Sequence, residues 1–205
     1  MKVNKPKFKI IYQSKENIWG KFNNVEKLKR YKWKKFVKKL DKRYKKNFIK
    51  KSRSLKLIYK QRLINKQKFK SFYGNMPYTI LKKTYNNIKQ KNPFNIIDRL
   101  IISLEKRLDV CLYRTGLYSS IFETKQAINH KKIKVNGCYV LNGNFNIKKG
   151  DYIEIPLKGK INNLPYIQIS KDKSLFIFLR DPKIKEIKYP FNLNKRFLYE
   201  YLNKK

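Results

Sequence analysis

The stretch from Arg107 to Ile155 is punctuated so closely that few folds can accommodate it. It opens with RLDVCLYRTG, in which Leu108, Cys111 and Leu112 share one helical stripe and Gly116 supplies a stop. SSIFETKQAINHKKIKVNG follows. Ser120 stands three residues before Glu123, the spacing of a capping box, so a helix is predicted to begin just ahead of Ile121 and run to His130. Ile133 to Val135 reads as a short strand, Asn136-Gly137 as a tight turn suited to positive φ, and Tyr139-Val140 as the return. Gly150-Asp151 turns the chain into a strand from Tyr152 to Ile155. The order is helix, helix, strand.

Around this module the signals are mainly helical. From Ser54 the apolar residues Leu55, Ile58, Tyr59, Leu63 and Ile64 predict one stripe, broken at Tyr73-Gly74-Asn75. Pro77 suits the first turn of a second helix with Ile80, Leu81, Tyr85 and Ile88 at helical spacing, and Pro93 ends it. A third helix is predicted from about Asn95 to Gly116, carrying the longest stripe in the chain: Ile97, Leu100, Ile101, Leu104, Leu108, Cys111 and Leu112. Tyr166 to Ile169 and Leu175 to Leu179 read as a hairpin, and a last helix lies around Lys195 to Leu202. The fold class is α+β. A helical body is expected over residues 54–98 and 192–205, a domain with a small β-sheet over 99–191 containing the module at 105–155, and a separate basic extension over 1–53.

Charge decides the partner. Fifty-three Lys and Arg against 13 Asp and Glu give +40, which repels itself unless a polyanion neutralises it. Nucleic acid is the expected partner. A hydrophobic fraction of 41% is too high for a purely disordered basic tail, so much of the chain should fold. In the first 53 residues, cations such as Lys34, Lys35, Arg43, Lys50, Lys51 and Arg53 alternate with Tyr31, Trp33, Phe36, Tyr44 and Phe48. This interleaving suits an arm embedded in RNA, with cations on phosphates and rings on bases.

Chemistry is poorly represented. The single histidine, His130, sits among lysines with no acid to orient it for a serine nucleophile, and Asp98, Asp109 and Glu123 form no evident carboxylate pair. Asp109 reads as a helix-surface ion-pair partner. Gly74, Gly116, Gly137, Gly143 and Gly150 are isolated turn residues, so no Gly-rich phosphate loop is present. One histidine and two cysteines argue against structural zinc; Cys111 and Cys138 read as buried or semi-buried free thiols. No stretch approaches the roughly 18 apolar residues that span a bilayer. Neither an enzyme nor a cofactor or membrane partner is expected.

Binding is better supported. The capped helix is expected to expose Lys125 beside Gln126 and to lead into His130, Lys131, Lys132 and Lys134, gathering cations and amide donors on one surface. Such a surface recognises phosphate and ribose geometry more than base sequence.

The residues Arg107-Leu-Asp, Arg114-x-Gly116, Ser120-x-x-Glu123-x-Lys-Gln126, His130-Lys131, Ile133-x-Val135-Asn136-Gly137 and Gly150-Asp151-x-Ile153 resemble the RNA-binding domain of the small-subunit ribosomal protein S-four family. That domain also occurs in RNA-modifying enzymes and accessory RNA-binding factors. The flanks favour the ribosomal family: Phe72-Tyr73-Gly74-Asn75-Met76-Pro77 upstream, Pro165 to Ile169 downstream, and Asn194 with Phe197 to Tyr201 at the end. The resemblance covers about residues 54 to 205. It implies a structural, primary binder of small-subunit ribosomal RNA that nucleates assembly of the subunit body. It further implies a place beside ribosomal protein S-five, near the channel by which messenger RNA enters, and an influence on decoding accuracy. The implied RNA contacts are Arg107, Arg114, Ser120, Lys125, Gln126, His130, Lys131, Lys132, Lys134, Asn136, Lys148 and Lys149, with the arm cations above.

Two departures stand out: Ile121, Phe122 and Thr124 replace the usual bacterial Arg, Ala and Ala, and the zinc-binding cysteines of some members are missing. Tyr73-Gly74-x-x-Pro77 is similar to mitochondrial members. Abundant Lys, Asn, Ile, Tyr and Phe suggest A+T-rich coding, and no Arg-rich presequence is separable from the arm. A mitochondrial protein is expected, with a plastid or bacterial cytoplasm as the alternatives.

Overall fold

A computed structural model describes residues 11, 14, 16–19, 54–155, 162–170 and 174–203, with the side chains of the first long helix described from Ile58 onward. The arm residues Lys34, Lys35, Arg43, Lys50, Lys51 and Arg53, and the aromatics between them, lie outside this set. The chain divides into two compact units, one spanning Phe72–Tyr189 and the other drawn from the described residues between Phe8 and Ser71 together with Pro190–Lys205. Among the described residues no helix is long and apolar enough to cross a membrane.

The smaller unit is built on α1, Ser54–Phe72, whose last residue already belongs to the other unit. The face it buries differs from the predicted stripe: Ile58 and Tyr59 are exposed, while Asn65, Lys68 and Phe69 are buried. Partners distant in sequence decide this. The Asn65 amide donates to the Asn194 carbonyl at 2.9 Å and accepts from the Asn194 amide at 3.1 Å, holding the residue that leads into the last helix. The Lys68 ammonium meets the Glu16 carboxylate at 2.8 Å, and the same carboxylate accepts from the Asn192 amide at 3.1 Å. Leu198 and Leu202 of that last helix, Lys195–Asn203, are buried, as are Ile18 and Trp19.

In the larger unit α2, Tyr78–Lys91, follows Pro77 and buries Leu81 and Tyr85. The helix predicted from Asn95 to Gly116 is in fact two: α3, Ile96–Glu105, and α4, Leu108–Arg114. Arg107 is extended between them, paired in an isolated bridge with Asn146. The interruption is made by the loop at residues 143–147. Its Phe145 and Gly143 carbonyls accept from the amides of Leu108 and Asp109 at 2.8 and 3.1 Å, and the Ile147 amide donates to the Lys106 carbonyl at 2.9 Å. These contacts replace the side-chain cap that α4 lacks. Gly143 packs closely against this junction: a Cβ there would stand 3.3 Å from Lys125 Cγ and 3.4 Å from Asp109 Cβ, so the Lys125 side chain would have to shift slightly.

The fourth helix of this unit, α5, spans Ile121–Asn129. The Ser120 hydroxyl accepts from the Glu123 amide at 3.2 Å as predicted, but Glu123 reaches one residue further back than a capping box requires, accepting from the Ser119 amide at 2.8 Å and the Ser119 hydroxyl at 2.5 Å. At the other end the Lys132 amide donates to the Ala127 carbonyl and the Lys131 amide to the Ile128 carbonyl, a Schellman ending. Lys131 occupies its left-handed position, with φ +54°, where glycine is usual.

Five antiparallel strands follow: β1 Lys134–Val135, β2 Cys138–Tyr139, β3 Tyr152–Glu154, β4 Ile167–Ile169 and β5 Leu175–Phe178, in the spatial order β2-β1-β3-β5-β4. The β1–β2 turn has φ of +52° at Asn136 and +79° at Gly137, the pair of left-handed residues that matches the twist of a two-residue hairpin. Alternation puts Val135, Ile153 and Phe176 on the inner face of the sheet, opposite one another in register. There they pack with Leu108, Cys111 and Leu112 of α4, Ala127 and Ile128 of α5, and Ile147, in one cluster. At about 1.5–3 kcal/mol for each large side chain buried, this cluster contributes much of the stability of the sheet and its two helices.

Candidate nucleic-acid interface

The helix–helix–strand core leaves two classes of charged residue, those it encloses and those it presents. Arg107, expected at the RNA surface, is enclosed. Its guanidinium grips Asp109 with both arms, Nε to Oδ1 at 3.1 Å and Nη2 to Oδ2 at 2.6 Å, and its side chain is only 5% exposed. Asp109, expected on the helix surface, has 0% exposure; burial pushes its carboxyl above the ordinary range while Arg107 opposes the shift. The Val110 amide also donates to it, at 2.8 Å.

Arg114 is similarly engaged. It makes a two-armed pair with buried Glu105, Nε to Oε2 at 2.8 Å and Nη2 to Oε1 at 2.7 Å, and lies over the rings of Phe72 and Tyr189. The Tyr73 hydroxyl donates to Glu105 at 2.7 Å and meets the Tyr189 hydroxyl at 2.6 Å. Burial disfavours the charge on Arg114, but Glu105 more than offsets this and holds the guanidinium protonated. Burial likewise pushes the Tyr73 phenol well up. These pairs set the junction of α3 and α4.

Ser120 is buried at the cap of α5. Lys125, expected on an exposed face, is half-buried: its ammonium lies 3.4 Å from the Gly74 carbonyl and 3.7 Å from Asp109 Oδ2, and burial draws its pKa down against the pull of Asp109. Gln126 is half-buried beside it. Cys138, expected to be at least partly buried, is exposed, whereas Cys111 lies in the core; both are free thiols.

What remains is presented on the end of α5 and the outer sheet. His130, Lys131 and Lys132 are exposed, and Lys131, Lys132 and Lys134 line one open groove of ≈ 610 Å³ with Tyr139, Glu154, Ile155, Ser174 and Leu175. The Schellman ending aims the first two lysines, and the hairpin register sets Lys134 against Tyr139, its ammonium 5.0 Å from the ring centroid. Asn136 is exposed at the turn, its side chain donating to Asp151 at 2.9 Å and accepting from the Tyr152 amide at 3.1 Å. That clasp brings the turn carrying exposed Lys148 and Lys149 to the Asn136-Gly137 turn, and the Lys148 amide closes it on Asp151 at 2.8 Å.

Tyr139, Glu154, Ser174 and Leu175 were not singled out from sequence. For Tyr139, Glu154 and Leu175 the signal is alternation, since with Val135, Ile153 and Phe176 inward their neighbours must face outward; for Ser174, just outside β5, the sequence carries no signal. Among the described residues no three His, Cys, Asp or Glu side chains gather to hold a metal.

This combination of a helix pair, a short hairpin and a basic groove defines an RNA-binding module of the S4 class, and the S4 domain matches residues 106–153. The chain is 31% identical to "Small ribosomal subunit protein uS4" of Orientia tsutsugamushi over 157 residues, covering 70% of this chain and 75% of the relative. It is 32% identical to the uS4 protein of Pelagibacter ubique over 155 residues, covering 68% and 74%. A mitochondrial relative, "Small ribosomal subunit protein uS4m" of Reclinomonas americana, is 30% identical over 164 residues, covering 70% of this chain and 65% of the relative. The chain belongs to the uS4 family of small-subunit ribosomal proteins, a structural and non-enzymatic family.

Proposed function

We propose that this protein is a structural constituent of the small ribosomal subunit. It binds small-subunit ribosomal RNA through the groove and the two adjoining turns, and so nucleates assembly of the subunit body. Family membership supports the assembly. The observation that carries the RNA-binding face is the convergence of Lys131, Lys132 and Lys134 on one open groove in a chain of net charge +40. Lys148, Lys149, His130 and Asn136 extend that face, and the arm cations add phosphate contacts. Arg107, Arg114 and Ser120 act through geometry, setting α4 and α5; Lys125 and Gln126 contribute from the half-buried edge.

The body division at residues 54–98 and 192–205 belongs to the same reading, as does the domain at 99–191. So do a place beside ribosomal protein S-five and messenger RNA, with an influence on decoding accuracy, and residence in a mitochondrial ribosome, which the uS4m relative supports, with a plastid or bacterial setting as the alternatives. Co-sedimentation of the tagged chain with small subunits from purified mitochondria tests this. The wild type should travel with the subunit, and K131E/K132E/K134E should stay at the top of the gradient while keeping its circular dichroism. A wild-type chain absent from the subunit fraction would refute the reading.

A further inference from the structure

The floor of the groove is a single row of side chains across four strands. Register places Tyr139 opposite Lys134, Lys134 opposite Glu154, and Glu154 opposite Leu175. Cross-strand partners project from the same face, so the row reads aromatic, cation, anion, apolar. Lys131 and Lys132 stand at its rim. A carboxylate in the floor is unexpected if the groove serves only to neutralise phosphate, because it repels phosphate. Among the described residues Glu154 takes part in no ion pair, although Lys134 is its strand neighbour; the Lys134 ammonium lies instead over the Tyr139 ring. Tyr139 is 56% exposed.

We infer that this row holds one unpaired guanine of an RNA strand, its base stacked on Tyr139, its Watson–Crick edge donating to Glu154, and its flanking phosphates on Lys131 and Lys132. The inference rests on the RNA-binding reading above and names the ligand chemistry of the same groove. A carboxylate only accepts hydrogen bonds, and it accepts two side by side. Guanine presents two adjacent donors, N1–H and N2–H₂. Adenine and cytosine present one donor beside a ring nitrogen lone pair, which the carboxylate repels, and uracil presents one N–H between two carbonyls. Length agrees as well: Tyr139 and Glu154 are two strand spacings apart, about 10 Å, which suits a stacked purine better than the shorter pyrimidine. An acidic peptide would meet Glu154 unfavourably and offers no ring for Tyr139.

The test is fluorescence anisotropy with the full chain and 5′-labelled heptauridylates carrying G, A, C or U at the centre, at one fixed near-physiological salt concentration. Because the electrostatic contribution is common to all four, the ratio of affinities reports the base. Guanine is expected to bind at least about tenfold tighter than adenine. E154Q should bring that ratio close to one while raising the affinity for all four probes, since the repulsion of phosphate is lost, and Y139L should weaken the guanine and adenine probes alike. Equal affinities for the four probes in the wild type would overturn the inference, as would a guanine preference that survives E154Q. Co-sedimentation with the small subunit is decided separately, so a chain that enters the subunit without base preference defeats this inference alone.

Discussion

Removing one member of the enclosed pair Arg107–Asp109 should damage the fold more than removing both. Asp109 is fully buried, Arg107 nearly so, and two guanidinium nitrogens reach two carboxylate oxygens at 3.1 and 2.6 Å. D109L leaves a guanidinium in the interior without its counter-charge and the Val110 amide without its acceptor, a loss of about 3–5 kcal/mol. R107M leaves the carboxylate with only the Val110 amide and the distant Lys125 ammonium at 3.7 Å, and should cost about as much. In a chain of this length each kcal/mol lowers Tm by about 2–4 °C, so either single variant should melt roughly 6–20 °C lower. R107M/D109L replaces a buried pair with apolar volume and should return to within about 1–2 kcal/mol of the wild type.

The assay is urea and thermal unfolding by far-ultraviolet circular dichroism at moderate salt. R107M is the informative arm, because it lowers the net charge of a +40 chain and self-repulsion alone would have it stabilise the fold. A stabilised R107M, or losses that simply add in the double variant, would show that global charge governs and that the enclosed pair does not.

Other expectations are more local. K131G relieves a left-handed lysine at the end of α5, so the fold should gain up to about 1 kcal/mol while RNA affinity falls; equal stability would show that the backbone there is unstrained. S120A should cost about 0.5–2 kcal/mol in a urea melt, from the unsatisfied Glu123 amide. For ribosomal RNA, log K against log salt should fall with a slope of about −5 or steeper, and K131E/K132E/K134E should flatten it; a flat wild-type dependence would contradict phosphate binding. The Arg180 side chain, helped by the Lys183 amide, holds the Glu186 carboxyl down at about 2. Its folded value is thus depressed, so the clasp is intact above the ordinary carboxylate range and is lost only as pH falls towards 2. Nuclear magnetic resonance titration should place the midpoint there, and R180M should move it upward.

The local punctuation of the module was legible because it acts within a few residues. Ser120 caps α5, Asn136 and Gly137 take the left-handed angles of the hairpin, and Pro77 precedes α2, each through short-range sterics or hydrogen bonds available to the isolated sequence. The family's motifs, being runs of such residues, were legible for the same reason. Periodicity served less well where distant chain intervenes. One continuous stripe from Ile97 to Leu112 gives no sign that Phe145 and Gly143 cap α4 from across the loop and divide it from α3. In α1 the buried face follows Asn65 and Lys68, whose partners Asn194 and Glu16 lie far away in the chain.

Charge shows the same division. Sequence alone determines that the chain carries a formal charge of +40 and requires a polyanion, since formal charge is a sum over residue types whatever the fold. Which cations reach that polyanion was decided by tertiary structure. Arg107 and Arg114 are as basic as Lys131 and Lys132, but they pair with buried carboxylates, while a Schellman ending and a strand register turn the lysines onto the groove. Burial and register depend on contacts between residues far apart in the chain, and composition and local spacing do not encode them.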